Sequence, residues 1–102
     1  MNEADSLALP PATFTFLVLS LRAQTEIHLG LMQVGEGDED EKPQPDLPTA
    51  RHSIDLLAML LEKTKGNLTL EERRLLENSL TELRFRFVQI SEELSQAASQ
   101  KA

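Results

Sequence analysis

The sequence predicts an all-α protein, a three-helix arrangement with a long N-terminal helix, an acidic linker and an antiparallel helical hairpin. Three observations predict it. Leu76, Leu80, Leu83, Phe87, Ile90 and Leu94 are spaced 4, 3, 4, 3, 4, which is a heptad seam along one helix. Thr69-Leu70-Glu71-Glu72 has the form of a capping box, in which the threonine hydroxyl and the Glu72 carboxylate each satisfy a free backbone N–H. Gly66 stands where a helix must stop, with Lys63 and Lys65 set favourably against the dipole of the preceding helix.

The first helix spans about residues 13–32, with Thr13 as its N-cap. Thr13-Phe14-Thr15-Phe16 also alternates as a strand would, but the apolar pattern persists past Ile27, longer than most strands. Gly30 followed by Leu31 suits its C-terminus. The second helix covers about 48–65 and begins at Pro48, a residue suited to the first helical turn. The third covers about 69–97. Residues 1–12 hold Pro10-Pro11 and no apolar period, so they read as a disordered tail, as do residues 98–102. The helices therefore form a single domain over residues 13–97.

Residues 34–47 read as a mobile linker. From Glu36 to Asp46 there are six acids against Lys42, so 1 − 6 = −5 of the net charge of −7 is local to this stretch. The rest of the composition narrows the function. The chain has 102 residues, 40% of them apolar, and no cysteine, which excludes a disulfide framework, a thiol nucleophile and a thiolate zinc site. It is too short to enclose a large active site. The acidic balance argues against a broad electropositive surface for nucleic acid. The start, Met1-Asn2-Glu3-Ala4-Asp5, lacks the basic opening of a secretory signal, and the longest apolar run, Phe14 to Leu21, falls short of the roughly 20 residues a membrane span needs. A soluble, cytoplasmic protein without a membrane partner is expected.

The apolar stripes carry a statement about assembly. The second helix is apolar nearly all round: Ile54, Leu57, Ala58 and Leu61 share one face, while Leu56, Leu60 and Met59 cover most of the rest. Such a helix is central, touched on several sides. The third helix, at ~27 residues and ~1.5 Å each, outreaches the second by about 15 Å, and that overhang carries Phe87, Ile90 and Leu94. Phe85 and Val88 lie off the seam on its far side. About 70 helical residues rarely support a self-sufficient core, so completion by homodimerisation is expected. Phe85, Phe87, Val88, Ile90 and Leu94 are its expected interface and the expected contact surface for a protein partner.

Other constellations are weaker. Phe14, Leu17, Leu21 and His28 share a stripe on the first helix, with Gln24 at the intervening position, so Gln24 and His28 form a candidate polar layer. A ligand or acid/base role for His28 is the functional alternative to a register-fixing one. His28 and His52, with Asp55 or Glu26, have the chemistry of a metal site, but no H-x-x-x-H or E-x-x-H spacing fixes two ligands on one helix, and no metal or other cofactor is expected. Arg84-Phe85-Arg86-Phe87 superficially interleaves basic and aromatic residues, as nucleic-acid binders do. On a helix, however, Phe85 and Phe87 point in different directions, and Glu82 can pair with Arg86. Arg73 and Arg74 are surrounded by Glu71, Glu72 and Glu77. No Gly-rich phosphate loop and no G-x-S-x-G is present, and no catalytic residue is expected.

Three blocks carry a resemblance. They run from Phe16-Leu17-Val18-Leu19-Ser20-Leu21 through His28-Leu29-Gly30, from Leu47-Pro48-Thr49-Ala50-Arg51 through Glu62-Lys63-Thr64-Lys65-Gly66-Asn67-Leu68-Thr69, and from Glu82-Leu83-Arg84 to Phe87-Val88. The chain resembles, over about residues 13–88, a small bacterial all-helical domain family of unknown function whose members share the EKTKGNLT turn and an ELR-type third helix. The resemblance implies a bacterial, cytoplasmic, all-helical protein and transfers no site.

Overall fold

Thr13 opens the first helix: its hydroxyl accepts the Phe16 N–H at 3.0 Å, satisfying one of the orphan donors of the first turn. Helix α1 then runs over Phe14–His28. It closes with a Schellman motif, in which the Leu31 N–H donates to the Glu26 carbonyl and the Gly30 N–H to that of Ile27. Gly30 sits at φ 79°, a left-handed conformation that glycine adopts without a Cβ clash. The computed structural model describes residues 8–32 and 44–101, so residues 1–7 of the tail expected over 1–12, residues 34–43 of the linker expected over 34–47, and residue 102 fall outside the described residues.

Helix α2 runs over Leu47–Lys63 and is capped by Asp46, whose carboxylate accepts the Thr49 N–H at 3.2 Å and the Thr49 hydroxyl at 2.7 Å. Asp46 is thus part of the helix start rather than of the loose linker expected over 34–47. Its own N–H donates to the His28 carbonyl, which ties the beginning of α2 to the end of α1. After Lys63 the chain turns through Gly66, at φ 88°, into helix α3, Leu70–Lys101. Both bonds of the capping box are present: the Thr69 N–H donates to Glu72 Oε1 at 2.8 Å, and the Glu72 N–H to Thr69 Oγ1 at 3.1 Å. Among the described residues there are three helices and no strand, so the all-α fold holds.

Side-chain contacts set the topology. Arg22 of α1 reaches Ser79 and Glu82 of α3, and Glu26 and Leu31 share a groove with Leu83 and Arg86, so α1 and α3 run parallel. Leu61 lies by Arg73 and Glu77, while Ile54 lies by Phe87, so α2 runs antiparallel to α3. All three helices pack on one another. The core is Val18 and Leu29 from α1 and its cap, Ala50, Ile54 and Leu57 from α2, and Leu76, Leu80, Leu83 and Ile90 from α3. Phe14, Leu21, Leu47 and Phe87 pack partly against it.

Two expectations shift. The third helix continues as a helix to Lys101 instead of fraying after residue 97. Its overhang also starts about one turn later than expected. The antiparallel register brings the start of α2 down to Phe87 and Ile90, and α2 begins at Leu47, which packs against the core. Ile90 is therefore buried within its own chain and Phe87 is half-buried. Of the apolar residues assigned to the overhang, only Leu94 remains exposed.

Candidate interaction surfaces

The polar groups of α1 are committed inward or to neighbours. Arg22 donates to the Glu82 carboxylate and to the Ser79 hydroxyl, and its Nε lies 3.7 Å from Glu26. Its side chain is largely covered, so this cluster clamps α1 to α3 and fixes their parallel register. Ser79 is fully buried and depends on Arg22 for that contact. Thr25 is also fully buried, but its hydroxyl donates to the Leu21 carbonyl at 2.8 Å, which removes the cost of burying it.

This arrangement corrects the expected polar layer. The seam of α1 is Phe14, Val18, Leu21, Thr25 and Leu29, at spacings 4, 3, 4, 4, not the stripe through Leu17, Gln24 and His28. Gln24 is exposed and His28 only half-buried. The register moved by one residue because Thr25 hides its hydroxyl on its own helix, whereas Gln24 would need a partner across the core. Among the described residues, no three His, Asp or Glu side chains gather into a metal-binding group, and His52 is exposed on α2.

The arginines are dispersed. At about 100° per residue, Arg84 and Arg86 point roughly 160° apart around α3, and Arg73 lies 3.8 Å from Glu77. Arg84 borders a groove with Asp55, and Arg86 one with Glu26 and Glu82. These positions make no continuous basic stripe of the kind that tracks a phosphate backbone.

Apolar surface is what α1 and α3 present instead. Phe85 and Val88 are 66% and 54% exposed on the outer side of α3, and Leu94 is 41% exposed. Beside them an open groove between α2 and α3 has Ile54, Phe87 and Val88 as its floor and Arg51, Asp55 and Arg84 as its rim. On α1, Phe16, Leu19, Ser20, Ala23 and Ile27 occupy about 100° of arc opposite the seam, with Phe16 and Leu19 at 42% and 46% exposure. The spacing 16, 19, 23, 27 is the sequence signal of this second stripe, and the stripe through Phe14, Leu17 and Leu21 does not include it.

One titratable group is displaced from its ordinary range. The Thr49 hydroxyl, then the Thr49 N–H, and to a lesser degree the charge of His28, hold the Asp46 carboxyl below the usual aspartate value. A depressed folded-state value contributes stability above the unfolded value, and that contribution is lost as pH falls through the folded one. Asn caps as well as Asp but does not titrate. Asp46→Asn is therefore expected to lose less melting temperature than the parent chain between about pH 7 and about pH 3. Equal losses in thermal melts of the two proteins would contradict this.

Residues 11–89 match the model of a family described as a domain of unknown function (DUF1844), which spans α1, α2 and α3 as far as Gln89. No curated protein and no solved structure matches the chain.

Proposed function

The chain belongs to the DUF1844 family, a domain of unknown function, and on that premise we propose that it is a non-enzymatic helical interaction module that self-associates as a dimer and holds a protein partner. The observation that carries this reading is the apolar surface left outside the core on two separate helices, Phe16 and Leu19 on α1 and Phe85 and Val88 on α3. Contiguous exposed apolar surface on a small domain marks contact sites. The groove between α2 and α3 has the make-up of a partner site: an aromatic and aliphatic floor with an arginine-containing rim. Phe87 and Val88 line it, while Phe85 and Leu94 are exposed on other sides of α3 and Ile90 is buried in the core.

This proposal includes action in the bacterial cytoplasm, a reading supported by the resemblance of its sequence blocks. No helix among the described residues is long and apolar enough to cross a membrane. Light scattering on the full chain, over about 1–100 µM, is expected to show a mass rising from monomer to dimer. A monomer mass throughout that range overturns self-association.

A further inference from the structure

We infer that the groove between α2 and α3 takes an acidic, amphipathic peptide segment of the partner protein, with apolar side chains on its floor and a carboxylate between Arg51 and Arg84. This rests on the partner-binding role proposed above and names the chemistry of the partner.

Charge selects the occupant. The rim carries Arg51 and Asp55 from α2 and Arg84 from α3, all exposed. Among the described residues no carboxylate lies within 4.0 Å of either arginine, whereas Arg22 and Arg73 each have one. Asp55 stands one turn along α2 from Arg51, on the same side, and shares the groove with both guanidiniums. A single carboxylate makes a bidentate pair with one guanidinium, so this cluster is one anion short. That surplus is a local exception in a chain of net charge −7. The groove beside the Gly66 turn is balanced, with Lys65 and Arg73 against Glu62 and Glu77, and the one between α1 and α3 sets Arg86 against Glu26 and Glu82.

The floor supplies the second requirement. Ile54 and Phe87 close the groove from beneath, and Val88 is 54% exposed at its side. The open space is about 410 Å³, a volume in the range of small binding sites. A bare anion would answer the arginines and leave this floor in water. An uncharged apolar ligand would cover the floor and strip water from two unpaired cations, which is costly. A peptide with apolar anchors one helical turn apart and an acid beside them answers both. The acidic stretch of the chain itself is the nearest source of carboxylates, but from Gly35 to Asp46 it has no Val, Leu, Ile, Met or Phe, so it has nothing to set against Ile54, Phe87 and Val88.

Extent sets the strength. The span from Arg51 to Asp55 on α2, and from Arg84 to Val88 on α3, is roughly 6 Å along each axis, so the groove grips about one turn of a helical peptide. A contact of that size belongs to the weak, reversible class, and its ionic part is screened by salt.

A displayed library of random peptides, each about 12 residues and long enough for three helical turns, is selected on the full-length chain, and the recovered peptides are synthesised for binding measurements. They are expected to combine Asp or Glu with Leu, Ile, Phe or Trp, to bind in the micromolar range, and to bind more weakly as salt rises. Arg51→Ala with Arg84→Ala is expected to lower their affinity at least about tenfold, and Val88→Glu by a similar factor. The two arginines are exposed, so their removal leaves the core untouched, and circular dichroism melts check each variant. Arg86→Ala, in the groove on another side of α3, should change affinity less than about twofold. Recovered peptides that depend on Val88 but carry no acid overturn the acidic chemistry and leave the groove standing as a protein site. Peptides insensitive to every substitution in the groove, or a selection that recovers none, remove both. A synthetic peptide of residues 34–46 that binds as tightly as the recovered ones overturns the separate partner in favour of the chain's own segment.

Discussion

Leu57→Ala is expected to cost about 3 kcal/mol of folding stability, within the 2–5 kcal/mol range for a leucine truncated in a packed core. Leu57 is fully buried at the middle of α2, the helix that touches both others, and it belongs to the core cluster with Val18, Leu76, Leu80 and Leu83. The truncation leaves a cavity at the junction of three helices, where no single helix can move in to fill it without losing contacts to another. Helix propensity does not offset the loss, because alanine gains only tenths of a kcal/mol over leucine. A domain of this size holds about 5–15 kcal/mol in total, so the variant should melt roughly 10–25 °C lower. Met59→Ala, two residues away but pointing outward from α2, is the matched control and should stay within about 0.5 kcal/mol of the parent. Both are measured by urea titration at one protein concentration, since dimerisation adds a concentration-dependent increment. Equal midpoints for the two variants would contradict the assignment of the core.

Leu19→Glu is expected to weaken self-association about 100-fold or more while leaving the monomer folded. Leu19 is nearly half exposed on α1, so glutamate there disturbs little within one chain. In a two-fold dimer the substitution counts twice, placing two carboxylates in the contact, while the neighbouring Arg22 is already engaged by Glu26 and Glu82, and burying an unpaired charge is costly. A 100-fold loss corresponds to about 2.7 kcal/mol. Phe85→Glu, on the outer side of α3, tests the second exposed apolar surface in the same way. Sedimentation equilibrium of the two variants separates the surfaces. A dimer mass unchanged in Leu19→Glu contradicts a contact through α1.

The fold was legible where local chemistry and the long-range requirement agree. Thr69 and Glu72 announce the start of α3, and both of their bonds form. Leu76, Leu80, Leu83 and Ile90 repeat at heptad spacing and all are buried. The all-round apolar character of α2 predicted a central helix, but each of the three helices packs on both others, so α2 is no more central than its neighbours. The seam of α1 was not legible, for a physical reason. Its inward face includes Thr25, whose side chain looks polar in sequence but bonds to its own helix, and its flank carries Arg22, whose partner Glu82 is far along the chain. Nothing local distinguishes a stripe through Val18 and Thr25 from one through Leu17 and Gln24. Once the stripe is displaced by a residue, the apolar face behind it disappears from view. The overhang was misjudged for a related reason: a difference of one turn in where α2 meets α3 decides whether Ile90 is interior or free, and turn geometry at Gly66 sets that register, not the seam spacing.

The most direct measurement is an isotope-filtered NMR experiment on a mixture of labelled and unlabelled full-length chain, reading only contacts between copies. With four phenylalanines in the sequence, and isoleucines only at 27, 54 and 90, the aromatic and methyl signals are few enough to assign one by one. Cross-peaks between copies at the exposed side chains of Phe16, Leu19, Phe85 or Val88 are the predicted result. No cross-peak between copies at any of these residues would contradict it.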